Sequence, residues 1–473
     1  MRWIFGWGLF LMLAGPVAAA TPEHPNVILI LCDNLGYGDI GCYGSTQHRT
    51  PHVDRMAAEG LKLTSFYVSS GVCTPSRASI MTGCYPIRLD MHVSDKGGLV
   101  LQPVAKKGLN PEETTMAEVM KQAGYATAII GKWHLGDQLE FLPTRQGFDQ
   151  FFGIPYSDDM TPRKGFPWPP LPLMQNEKVI ESGVDRNELT RRYTEAAIDF
   201  ITRQKDHPFF LYLPHAMPGS TSHPFASERF RGHSQNGAWG DSVEEIDWST
   251  GELLAALKRL KLDEKTLVVW TSDNGAPRRN PPQGSNAPLK GWGYDVSEGA
   301  MRVPCLVRWP GQVPAGTQSN LLCSSMDLLP TFARLAGVTR TADRVIDGRD
   351  IWPILSGQPD ARSPHAAHYY YFSDQLQAVR SGPWKLYLPL PDRRVGGNRR
   401  AEQPAELYQL EEDVSEQRNV AAEHPEIVAR LKELADQARQ DLGDENRPSP
   451  HQRPAGWVEH PTPRVPSQAD SAP

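Results

Sequence analysis

Hydrophobic positions along this chain come in short unbroken runs. Asn26 to Cys32 (NVILILC) is apolar, rich in β-branched residues and flanked by polar ones, a pattern that predicts a strand covered on both faces and hence a parallel sheet. Similar runs recur at Ala126 to Ile130, Phe209 to Leu213, Leu267 to Thr271 and Pro304 to Arg308. Between them, Thr115 to Gln122 and Val243 to Leu260 carry apolar residues at helical spacing. Strands alternating with helices predict a doubly wound α/β core.

The pattern changes near Ala366. Tyr369 to Phe372, Gln377 to Arg380 and Lys385 to Leu388 read as short antiparallel strands, and Pro425 to Leu442 places Ile427, Val428, Leu431, Leu434, Ala435 and Ala438 at helical spacing. A smaller C-terminal α+β domain is expected over residues 366–445, after a main catalytic domain over 21–365. Residues 446–473 then hold seven prolines in 28 residues, the composition of a disordered or surface-hugging tail. At the other end, Arg2 precedes a mostly apolar run from Ile4 to Ala14 and the small residues Ala18, Ala19 and Ala20. Residues 1–20 are expected to be a cleaved secretory signal, because the run falls short of the ~20 apolar residues of a spanning helix. Export to a periplasmic or extracellular space follows, with no membrane span after cleavage.

Charge narrows the partners. With 49 Lys+Arg against 55 Asp+Glu, a formal charge of −6 leaves no basic footprint for nucleic acid. Six cysteines, at 32, 42, 73, 84, 305 and 323, are too few for a disulfide scaffold of this length. Export would permit one or two bridges; otherwise they pack as small hydrophobes. Cys73 has a different setting.

Two strands end alike: NVILILC runs into Asp33 and Asn34, and TLVVWTS into Asp273 and Asn274. Ligands of open α/β sheets sit beyond the carboxyl ends of strands, so these oxygens are placed to meet at a hard cation such as Ca²⁺. Each pair is also a turn signal; the repetition favours metal. In CTPSRASIMTG, Pro75 suits the first turn of a helix, which puts Cys73 at an anion-stabilising N-terminus with Arg77 one turn on.

That segment resembles the signature of the sulfatase family, and Gly124 to Gly136 (GYATAIIGKWHLG) resembles the family's second signature. GIPYSDD at Gly153 to Asp159, VEEIDWSTG at Val243 to Gly251, SDNG at Ser272 to Gly275 and ELYQLEED from Glu406 extend the resemblance over some 400 residues. It is nearest the arylsulfatase A and N-acetylgalactosamine-6-sulfatase branch. The resemblance implies an alkaline-phosphatase-like fold, a large mixed, mostly parallel sheet flanked by helices with a smaller C-terminal antiparallel sheet. It implies that Asp33, Asn34, Asp273 and Asn274 hold Ca²⁺ and that Cys73 is converted to formylglycine by a formylglycine-generating enzyme. Arg77 would support the nucleophile, Lys132 and His134 would contact it and the sulfate, and Ser157 would touch the nucleophile or its neighbours. The implied reaction is hydrolysis of a sulfate monoester, of a small molecule or a sulfated carbohydrate. A phosphoester or phosphonate hydrolase of the same superfamily, or a silent sulfated-glycan binder, is the alternative.

Three positions depart from the family pattern. Asn34 stands where a second acid is usual. Gly219 stands where many relatives have His, leaving His215 or His223 as substitutes, with His215 nearer the strand end. Gly293 stands where a Lys is usual, leaving Lys290 three residues upstream. A reshaped substrate pocket is expected. Trp133, Trp168, Trp239 and Trp292 are candidate stacking surfaces or core residues, and Pro167 to Pro172 a candidate rim.

Overall fold

The computed structural model describes residues 24–338, 344–395, 398–400, 402–445 and 447–466. The expected signal segment, residue 446 and residues 467–473 of the Pro-rich tail lie outside them. Among the described residues, eleven strands form one sheet. At its centre Asn26–Asp33 lies parallel to Phe209–Pro218 on one side and to Thr266–Ser272 on the other. All eight of its residues are buried, which is why the run is apolar without alternation. Its side chains nonetheless divide by parity. Val27, Leu29 and Leu31 join one apolar cluster with Ala78, Ile80, Met116, Met120 and Phe332. Ile28, Ile30 and Cys32 join another with Leu189, Tyr193, Phe200, Val243 and Leu254. Helices Cys73–Thr82, Met116–Gln122 and Leu328–Leu335 therefore cover one face, and Leu189–Arg203 and Gly237–Arg259 the other. Each large aliphatic side chain so buried contributes about 1.5–3 kcal/mol.

Outward from this centre, Ala126–Lys132 and Gln150–Ile154 continue in parallel, and a hairpin of Pro172–Gln175 and Lys178–Ser182 closes that edge antiparallel. On the opposite side Arg302–Arg308 runs antiparallel to both Thr266–Ser272 and Leu61–Tyr67. The sheet is thus mixed and mostly parallel, and the run at Pro304 to Arg308 is one of its reversed strands.

A second sheet orders His368–Phe372, Gln375–Ser381, Trp384–Tyr387 and Glu406–Gln409, all antiparallel. Helix Pro425–Asp441 packs Leu431, Ala435 and Ala438 against Leu376, Val379 and Leu386 of this sheet. A buried polar knot joins it to the main body: Glu298 accepts from Tyr67 at 2.6 Å, from Tyr370 at 2.7 Å and from Lys385 at 3.0 Å. Lys385 also donates to the Val296 carbonyl at 3.3 Å, which ties the loop before Glu298 to the second sheet. Residues 447–466 follow the surface, where Gly456–Trp457 pairs with Lys107–Gly108 and Arg453 bridges to Glu113. All six cysteines are unpaired. Among the described residues no helix is long and apolar enough to cross a membrane.

Candidate active site

The strand ends bring the acids together. Parallel register sets Cys32 beside Ser272, so Asp33 and Asp273 emerge side by side. Asn34 turns back at φ 62°, and its backbone N–H donates to Asp273 Oδ1 at 2.9 Å. Helix Cys73–Thr82 begins there, entered through extended Val72 and closed at Gly83 (φ 69°). This geometry aims two side chains at the acids. Cys73 Sγ lies 3.7 Å from Asn34 Oδ1, and ligand atoms of Asp33, Cys73 and Asp273 all fall within 4.8 Å of one another. Arg77, fully buried, donates through Nε to Asp273 Oδ2 at 2.9 Å, through Nη2 to Asp33 Oδ1 at 2.9 Å and through Nη1 to the Lys132 carbonyl at 2.7 Å.

Lys132 closes strand Ala126–Lys132 and donates to Asp33 Oδ1 at 2.7 Å and Ser157 Oγ at 3.2 Å. Gly131 before it is at φ 138°, where a Cβ would collide with the Pro214 carbonyl of the neighbouring strand. His134, at φ 65°, places Nε2 3.0 Å from the Leu101 carbonyl. That contact fixes the proton on Nε2 and leaves Nδ1, buried and without a partner, as an acceptor. Left-handed backbone at Asn34, His134 and Tyr294 (φ 74°) concentrates strain at this one locality, as functional sites do.

Charge and burial set the protonation states. Burial acts to raise the Asp33 carboxyl, but Lys132 and Arg77 outweigh it and hold it well below the usual carboxylate range. Asp273 moves the other way, upward, through burial first and the Asp33 charge second. Burial, then the Asp33 charge, pushes the Cys73 thiol well above its ordinary value, so an unconverted thiol stays protonated and is a weak nucleophile. Burial, then Lys132 and Arg77, drives His134 well below the usual imidazole range; its ring is neutral at pH 7.

The residues fit a hard divalent cation. Asp33 Oδ2 and Asn274 Oδ1 are buried without hydrogen-bond partners, and Asn274 Nδ2 donates to Asn34 Oδ1 at 2.5 Å. Two orphaned buried oxygens among four convergent oxygen-bearing side chains suit a hard cation such as Ca²⁺.

The departures behave differently from the substitutes expected for them. Gly219 adjoins the site: a Cβ there would lie 3.0 Å from Asp158 Oδ1 and 3.6 Å from Asp33 Oδ2. His215 does not turn into this space. Its Nε2 sits 3.4 Å from Ser249 Oγ of helix Gly237–Arg259, which packs on that face of the sheet. His223 pairs with Ser222 at 3.1 Å on the exposed surface. Lys290 points to the second sheet, 3.3 Å from the Tyr408 hydroxyl and 3.4 Å from the Glu416 carbonyl, since the aromatic ring below it attracts the ammonium. What occupies the region instead is a pair of hydroxyls. Ser220 Oγ and the Tyr294 hydroxyl are 2.9 Å apart and accept from Asn34 Nδ2 at 2.9 and 3.2 Å. No sequence motif marks either one.

A shallow cleft lined in part by Val72, Pro75, Leu99, Phe372 and Tyr294 adjoins the start of the Cys73 helix. Trp133 and Trp239 are fully buried core residues, so neither offers a stacking surface.

Comparison with known proteins agrees with this geometry. A sulfatase family model matches residues 25–338, and a model described as N-sulphoglucosamine sulphohydrolase, C-terminal, matches residues 291–441. Arylsulfatase A of Homo sapiens is 38% identical, covering 90% of this chain and 89% of that protein. N-acetylgalactosamine-6-sulfatase of Canis lupus familiaris is 40% identical, covering 81% of this chain and 75% of the other. A solved sulfatase structure, described under the metabolism of multiple glycosaminoglycans by Bacteroides thetaiotaomicron, has a TM-score of 0.76 at 28% identity and covers 88% of this chain and 100% of its own.

Proposed function

We propose that this chain, which belongs to the sulfatase family and is a sulfuric ester hydrolase, is an exported, calcium-dependent enzyme that acts on sulfate monoesters of carbohydrates through a formylglycine derived from Cys73. The observation that carries the reading is the Arg77 guanidinium bridging Asp33 and Asp273 beneath Cys73. The glycosaminoglycan context of the solved neighbour supports a carbohydrate substrate.

Asp33, Asn34, Asp273 and Asn274 would hold the calcium, whose charge favours the oxygens of a bound sulfate. Formylglycine at position 73 would, as its aldehyde hydrate, supply two hydroxyls on one carbon and hence both nucleophilic and sulfate-releasing chemistry. Arg77 fixes the two acids and adds permanent positive charge beside the nucleophile position. Lys132, held between Asp33 and Ser157, lies where negative charge grows in the transition state, and a preorganised cation stabilises that state more than the ground state. Neutral His134, with Nε2–H spent on Leu101, offers Nδ1 as a hydrogen-bond acceptor. The maturing partner is a formylglycine-generating enzyme. The fully buried Cys73 helix supports conversion before folding completes.

Product analysis on sulfated mono- and oligosaccharides, beside an aryl sulfate and the matching aryl phosphate, tests this. Sulfate release from a glycan is expected. Release of phosphate but not sulfate would replace the reading with a phosphoester hydrolase, and binding without turnover by a protein whose Cys73 is unmodified would make it a glycan binder.

A further inference from the structure

The two positions at which the family resemblance implies a His and a Lys are glycines here, Gly219 and Gly293, and Ser220 and Tyr294 directly follow them. Both follow residues that shape the backbone inward: Gly219 is at φ 75°, and Tyr294 itself is at φ 74° after Gly293. Tyr294 also lines the cleft beside Val72 and Pro75, which flank the start of the Cys73 helix, while its hydroxyl reaches Asn34. Arg279 donates to the Ser220 carbonyl and holds that segment against the site.

Hydrogen accounting gives the pair a direction. Asn34 Oδ1 faces Asn274 and residue 73, the side on which calcium would be held, which turns its amide outward. Each amide hydrogen goes to one hydroxyl oxygen, at 2.9 Å for Ser220 and 3.2 Å for Tyr294. The two hydroxyls carry one hydrogen each. One is used in their 2.9 Å mutual bond, and one remains with no acceptor among these groups. An aspartate at 34 would reverse this, because a carboxylate only accepts and would draw both hydroxyl hydrogens to itself. The asparagine therefore orients the pair as a donor.

We propose that the Tyr294 and Ser220 hydroxyls, oriented by the Asn34 amide, form a neutral hydrogen-bond donor to the substrate's sulfate group in place of the His and Lys that the resemblance implies at Gly219 and Gly293. The proposal rests on the sulfatase reading and assigns Tyr294 as a substrate-contacting residue. A hydrogen bond to a charged acceptor accounts for about 10- to 100-fold in affinity.

The test is calorimetric binding of inorganic sulfate to the calcium-loaded, matured protein, with turnover of an aryl sulfate measured on the same samples. Y294F is expected to bind sulfate about 10- to 100-fold more weakly. S220A should also weaken it, and S220T, which keeps the hydroxyl, should restore it to within about 3-fold of wild type. Calcium affinity should not follow these changes. Unaltered sulfate binding in Y294F, no sulfate binding by the wild type, or a parallel loss of calcium affinity would each overturn the proposal. If Tyr294-dependent sulfate binding is found while the wild type cleaves no sulfate ester, the donor pair stands and the sulfatase reading falls.

Discussion

Replacing Arg77 with Met removes the group on which the site's geometry depends. The guanidinium is fully buried, and its three donors meet two carboxylates and a backbone carbonyl at 2.7–2.9 Å. Methionine fills much of the volume but leaves Asp33 and Asp273 facing each other in low dielectric, with only Lys132 to offset them. Breaking a buried ion pair by deleting one partner costs about 3–5 kcal/mol. R77K should cost less and still be harmful, since one ammonium cannot span three acceptors that a planar fork reaches. Catalysis should fall about 10²- to 10³-fold from the lost preorganised charge. Urea unfolding at pH 7 in the presence of a chelator, followed by tryptophan fluorescence, reads the stability term. Repeating it with calcium should shrink the difference, because a divalent cation takes over part of the same charge. If R77M unfolds within about 1 kcal/mol of wild type without metal, the ion-pair argument is wrong.

Other outcomes follow from the same geometry. Cys73→Ala should abolish sulfate release while leaving the fold intact, and mass spectrometry of the peptide containing residue 73 in active wild type should show formylglycine rather than cysteine; an active enzyme with an intact thiol would refute the nucleophile assignment. Chelation should lower the melting temperature, with recovery on adding Ca²⁺ and none on adding K⁺; at a calcium level of 100 Kd the ion contributes about 2.7 kcal/mol. Burial lowers His215 to about 4, below its unfolded value, so its contribution is complete above pH 6.5 and is lost as pH falls through 4. The acid-linked loss that H215Q should remove is about 3 kcal/mol, and identical pH 7 to pH 4 stability differences in wild type and H215Q would disprove it. Gly219→Ala should cost about 1–2 kcal/mol from its left-handed backbone alone, with further loss because the methyl carbon would sit 2.8 Å from the Ala216 carbonyl; unchanged stability would show that the loop relaxes freely.

Much of this arrangement was legible in the sequence because it rests on local pattern. NVILILC is apolar at every position because the strand is covered on both faces, and the Asp-Asn pairs follow such strands directly, so the carboxyl edge of the sheet collects them. Pro75 marks the start of the Cys73 helix by backbone preference alone. Leu61–Tyr67 is less legible because Lys62, Thr64 and Ser65 interrupt its apolar character, and Gln150–Ile154 because it is only five residues long and contains a glycine. The direction of Arg302–Arg308 was not readable either, since a buried antiparallel strand has the same composition as a parallel one. The substitutes expected for the absent His and Lys were chosen by proximity along the chain. Proximity misled, because His215 faces the helical layer and Lys290 faces Tyr408. Ser220 and Tyr294 lie on turns whose backbone angles, not residue types, deliver their hydroxyls to Asn34.

The most direct measurement is a crystal structure of the matured protein grown with calcium. The account predicts one ion bound by oxygens of Asp33, Asn34, Asp273 and Asn274 at about 2.3–2.6 Å, facing a formylglycine at position 73. An ion bound elsewhere, or residue 73 turned away from these four side chains, would contradict it.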